Sequence, residues 1–101
     1  MVTDRELLEI AAKAAGYRIR ISMTGDPYIQ DGISTRAWNP LIDDGDALRL
    51  AHKLGMDVDM CACWVQYDGV SEMECVEFGS TLAEVRRAIV RAAAEIGRAM
   101  V

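Results

Sequence analysis

WNPLIDDGDALRLAHKLG, residues Trp38 to Gly55, contains in one span a loop, a helix start, an amphipathic helix and a helix stop. Pro40 steers Asn39 away from the helical region, so the chain enters the next element extended. Asp43 or Asp44 then supplies an N-cap, and Asp46 adds negative charge to the first turn, where the helix dipole is positive. Ala47, Leu48, Leu50, Ala51 and Leu54 form the apolar stripe. Arg49, His52 and Lys53 gather toward the C-terminal end, which favours cations, and Gly55 provides a left-handed stop.

Upstream, Thr3 and Glu6 are spaced as a capping box, and Leu7, Leu8, Ala11, Ala12 and Ala15 recur at helical spacing before Gly16. A helix is predicted over about residues 4 to 15. The period then changes to two. Tyr17, Ile19, Ile21 and Met23 fall on one face of a half-buried strand, with Arg18, Arg20 and Ser22 on the other. Thr24-Gly25-Asp26-Pro27 and Asp31-Gly32 are turn sequences, which leaves residues 28 to 38 as one broken strand or two short ones.

Downstream, Met56, Val58, Met60, Ala62 and Trp64 alternate with Asp57, Asp59, Cys61, Cys63 and Val65, the pattern of one continuous strand with Trp64 inward. Asp68-Gly69 marks a hairpin. A three-residue loop there sets Met60 near Phe78 and Ala62 near Val76, whereas a two-residue loop sets them against Glu77 and Cys75; burial favours the former. Ser80 or Thr81 caps a final helix, with Thr81 and Glu84 available as a second capping box. Leu82, Val85, Ile89, Ala92, Ile96 and Ala99 form a heptad-like seam that packs on the sheet of its own chain. A homodimer through the 82–99 helix is the other use of such a stripe. The pattern reads as one α+β domain over residues 1–101, ordered α-β-β-α-β-β-α. Its sheet is mainly antiparallel, of about four strands, with helices packed on it.

A chain of 101 residues supports one hydrophobic core, and 51% hydrophobic with 27% charged residues is the balance of a globular protein. The start, Met1-Val2-Thr3-Asp4-Arg5-Glu6, lacks the basic and apolar regions of a secretory signal, and no apolar run is long enough for a membrane span. A cytoplasmic location is expected. The net charge of −5 argues against a nucleic-acid partner, whose phosphates call for Lys and Arg. Between Lys53 and Arg86 there is no basic residue, while Asp57, Asp59, Asp68, Glu72, Glu74, Glu77 and Glu84 are acidic. Such a run is either a solvated sheet edge, paired loosely with a basic helix face, or a patch aimed at a basic partner or imitating nucleic acid.

Few residues suggest chemistry. Cys61, Cys63 and Cys75, an odd number of cysteines, argue against a disulfide framework; with His52 they could form a zinc site, but the Cys-x-Cys spacing is poor and buried small hydrophobes are the simpler reading. Asp43, Asp44 and Asp46 form the densest carboxylate cluster, yet helix capping accounts for them and the spacing is not that of a calcium loop. His52 is the sole histidine, and no nucleophile elbow, glycine-rich phosphate loop or zincin motif accompanies it. Trp38, beside Asn39-Pro40, is either core or an exposed binding anchor.

Three segments taken together, TDRELLEIAAKAAG (Thr3 to Gly16), the Trp38 to Gly55 stretch, and RRAIVRAAAEIGRAM (Arg86 to Met100), resemble a family of small uncharacterised phage and prophage proteins described as having a phage α/β/α (ABA) sandwich domain. The resemblance implies a phage or prophage origin, that layered fold and residence in the host bacterial cytoplasm; it supplies no catalytic residue and no cofactor. A non-enzymatic accessory protein that binds another protein is therefore expected. Trp38, Asp43, Asp44, Asp46 and His52 are its candidate partner contacts. The alternative is a small enzyme, or a binder of a small ligand or divalent ion, using the Asp43–Asp46 region and His52.

Overall fold

Thr3, Asp43 and Thr81 each cap a helix in the computed structural model, which describes residues 3–31, 33–68 and 73–100. The helices are α1 (Asp4–Ala15), α2 (Asp44–Lys53) and α3 (Leu82–Ala99). The Thr3 hydroxyl accepts the Glu6 N–H at 3.2 Å, and Gly16, at φ +77°, closes α1. Asp43, rather than Asp44, caps α2, its Oδ2 accepting the Asp46 N–H at 2.8 Å. Thr81, rather than Ser80, caps α3, accepting the Glu84 N–H at 3.2 Å. Leu48 leaves the expected stripe of α2 and is 68% exposed. It stands about 100° round the helix from Ala47, outside the arc that Ala47, Leu50 and Ala51 bury.

Between α1 and α2 run β1 (Arg18–Ile21), β2 (Pro27–Asp31) and β3 (Ser34–Ala37); between α2 and α3 run β4 (Asp57–Asp59), β5 (Trp64–Asp68) and β6 (Met73–Glu77). Each trio is a separate antiparallel meander, in orders β1-β2-β3 and β4-β5-β6. The expected single sheet of about four strands is thus corrected to two sheets of three. The first gains a strand because residues 28–38 form two short ones. β1 ends at Ile21, and Met23, expected on its inner face, lies fully exposed in the turn that the Ser22 N–H closes on the Asp26 carbonyl.

The second sheet departs further from expectation. The alternating segment 56–65 is a hairpin, not one strand: the Asp59 carboxylate accepts the N–H groups of Cys61 (3.0 Å) and Ala62 (2.9 Å), and Cys63 takes φ +61°. An aspartate that bonds the backbone two and three residues on offers the chain a turn in place of a ladder. Reversal there pairs Val58 with Val65 and shifts the inward set to odd positions. Val65 and Tyr67 are buried, whereas Met60 is 59% and Trp64 38% exposed, so Trp64 is not core. The register with β6 is Val65↔Val76, Trp64↔Glu77 and Asp68↔Met73, which replaces the expected Met60–Phe78 and Ala62–Val76 neighbours and leaves residues 69–72 between the strands. Gly69 of the expected Asp68-Gly69 turn lies outside the described residues.

α3 is the centre of the molecule. Ala88, Ile89, Val90, Ala92, Ala93, Ala94 and Gly97 are buried, a set that wraps roughly 240° of the helix at 100° per residue. The expected seam covers only part of that arc, and its end residues Leu82 and Ala99 are exposed. α1, α2, β5 and β6 all pack against this helix. Small side chains let them approach, and at Gly97 the fit has no room for a Cβ, which would lie 2.3 Å from the Ile10 carbonyl oxygen. Trp38 and Ile29 complete the core, with the Tyr17 ring edge-on to Trp38 at 5.7 Å. No described helix is long and apolar enough to cross a membrane.

Candidate functional site

The five residues singled out in the sequence do not converge on one surface. Trp38 is 1% exposed, so the exposed-anchor reading is replaced by a core position. Asp46 is the buried charged residue of the described structure, at 5% exposure. Its Oδ2 accepts the Asn39 N–H at 2.9 Å, and its Oδ1 accepts from Arg49 at 2.8 Å with Arg36 at 3.8 Å. One carboxylate therefore joins the entry loop, α2 and β3. The hydrogen bond to Asp46 outweighs desolvation and, with the charges of Asp46 and Asp43, holds the Arg49 guanidinium above its ordinary pKa. Breaking a well-partnered buried charge is destabilising, and here half-exposed arginines soften the loss. Asp46→Ala is expected to cost about 2 to 3 kcal/mol, read as a lowered urea midpoint, with Asp46→Asn costing less because an acceptor remains for Asn39.

Asp43 and Asp44 have structural partners of their own. Asp43 caps α2, and Asp44 pairs with Arg86 at 2.7 Å while the Arg86 Nε donates to the Leu41 carbonyl at 2.9 Å, tying the start of α2 to α3. His52 is exposed at the other end of α2, about 13 Å along the axis from Asp43 by helical rise. It borders an open depression with Tyr17, Leu48, Arg49 and Lys53, where the Lys53 ammonium sits 4.5 Å from the centre of the Tyr17 ring. The cysteines are free, and Cys61 and Cys75 are exposed rather than buried. Among the described residues no cluster of three or more His, Cys, Asp and Glu is placed to hold a metal ion.

A different surface emerges from the registers. Residues directly opposite one another in an antiparallel pair share a face. Val58, Val65 and Val76 therefore face α3, and Asp57, Asp59, Trp64, Asp68, Met73 and Glu77 lie on the opposite, outer face. Trp64, flanked by Asp59 and Glu77 in the register, is the aromatic centre of that face, and Met73 is 53% exposed. None of the four carboxylates has an ion-pair partner among the described residues. The acidic run was legible in the sequence, but the role of Trp64 was not, because that depended on recognising Asp59 as a turn former.

On the inner side, Tyr67 lines a cleft with Glu74, Glu95 and Arg98. Burial, reinforced by Glu74, Glu95 and Cys75, raises the Tyr67 pKa above its ordinary value of 10.0. The fold thus favours the neutral phenol; this contribution is complete below the ordinary value and is lost as pH rises through the raised one. In an alkaline absorbance titration, Tyr67 should ionise above the ordinary phenol range, and Tyr67→Phe should remove that late component. Compared with known proteins, the chain matches no family model, no curated protein and no solved structure.

Proposed function

We propose that this chain is a non-enzymatic accessory protein of a phage or prophage that acts by binding another protein through the outer face of β4, β5 and β6. The observation that carries the reading is the set of four carboxylates, Asp57, Asp59, Asp68 and Glu77, that share a face with exposed Trp64 and Met73 and have no ion-pair partner among the described residues. A tryptophan flanked by Asp59 and Glu77 is suited to anchor a partner, the indole supplying apolar contact and the carboxylates of the face steering toward a basic surface. The three helical segments that resemble the phage family support the origin. The enzyme reading, built on Asp43–Asp46 and His52, has less support, since the aspartates are occupied by capping and ion pairs far from the histidine.

The test is affinity capture from bacterial lysate with the wild type and with Trp64→Ala, a variant expected to keep its stability within about 1 kcal/mol. A partner retained by the wild type should bind the variant roughly 30-fold more weakly if Trp64 is a hot spot. Capture that is unaffected by Trp64→Ala, or no specific partner together with no self-association, would overturn the assignment of this face.

A further inference from the structure

The outer face of the first sheet has the opposite sign. In β1, Arg18 and Arg20 alternate with Ile19 and Ile21; Arg18 lies opposite Gln30 and Arg20 opposite Tyr28, so both arginines share the face turned away from buried Ile29. Both are exposed, and neither has an ion-pair partner among the described residues. Thr35 and Ala37 continue this face across β3 without adding charge. Arg36, the other arginine of the sheet, points the opposite way, toward Asp46. The molecule therefore exposes a basic sheet face carrying Tyr28 and an acidic sheet face carrying Trp64, each on a three-stranded meander.

We propose that the occupant of the acidic face is a second copy of this chain, whose β1–β3 outer face docks on it so that Arg18 and Arg20 meet Asp57, Asp68 and Glu77. The proposal rests on the reading of the acidic face as a protein-binding surface and names its partner. Association is head to tail, because the two patches differ. Any open assembly still offers one free face of each sign, at its two ends, so growth continues unless the rotation closes a ring. α3 takes no part, since its apolar arc is already covered by α1, α2, β5 and β6 of the same chain. A net charge of −5 on each copy opposes association at long range. At about 0.1 M salt that repulsion is screened beyond about 10 Å while contact pairs persist, and near 1 M salt both fade.

Sedimentation velocity with two neutralised variants tests this. Arg18→Gln/Arg20→Gln removes the basic patch, and Asp57→Asn/Asp68→Asn/Glu77→Gln removes the acidic one; circular dichroism confirms that each is folded. The wild type should sediment faster with rising concentration at about 0.1 M salt and less so near 1 M. Each variant alone should raise the dissociation constant at least about tenfold. Mixed in equal amounts, the variants retain one complementary pair of faces and should form dimers that grow no further. A wild type that stays monomeric, variants that associate like the wild type, or a mixture that remains monomeric would each overturn the proposal. If the wild type is monomeric yet captures a partner that Trp64→Ala loses, the protein-binding reading of the face stands and only self-association fails.

Discussion

Gly97→Val is expected to remove about 4 kcal/mol of stability, a large share of the roughly 5 to 15 kcal/mol that holds a domain of this size. A Cβ at position 97 would lie 2.3 Å from the Ile10 carbonyl oxygen and 2.8 Å from its Cγ2. The first of these atoms is backbone, so no side-chain rotation relieves the clash. α1 and α3 must separate, and the alanines that fill their interface lose contact along its length. Gly97→Ala is the sharper probe. Intrinsic helix preference alone predicts a gain of about 1 kcal/mol, whereas the clash predicts a net loss of about 1 to 2 kcal/mol. A urea midpoint raised by Gly97→Ala would show that the helices are not held this close.

Trp38→Ala should cost about 4 kcal/mol, and for a domain of this length that corresponds to a fall in Tm of about 15 °C or more. The side chain is 1% exposed and sits edge-on to Tyr17, so truncation leaves a void in the core. Trp38→Phe restores most of the volume and should recover more than half of the loss. The contrast with the other tryptophan is part of the prediction: acrylamide should quench Trp64 fluorescence readily in Trp38→Phe, while Trp38 in Trp64→Phe should be protected. Equal quenching of the two would contradict their placement.

Helices were legible because their ends are written in local chemistry. Thr3, Asp43 and Thr81 bond the amides expected of caps, and Gly16 takes the left-handed conformation its position required. The strands were less so. A period of two survives through Met56 to Trp64, and the turn inside it uses Asp59 and left-handed Cys63 in place of the glycine or proline that usually marks a reversal. Missing that turn moved Trp64 from surface to core and inverted which face of the second sheet is open. The buried arc of α3 is wider than its seam for a related reason: Val90, Ala93 and Ala94 lie off the seam, and only the packing of other elements shows that their side of the helix is covered. Asp46 was visible as one of three aspartates, but its burial depends on Asn39, Arg36 and Arg49 meeting in space.

The packing of α1 against α3 also sets when this chain can fold. Both sheets are meanders of neighbouring strands and need only short loops to close, so they can form early. The core cannot follow, because α1 is the first described helix to leave the ribosome and α3, against which α1, α2 and the second sheet pack, is the last. Throughout synthesis the apolar faces of α1, α2 and the second meander wait for Ala88 to Gly97 to emerge. Until then those faces stay uncovered and prone to association with other chains.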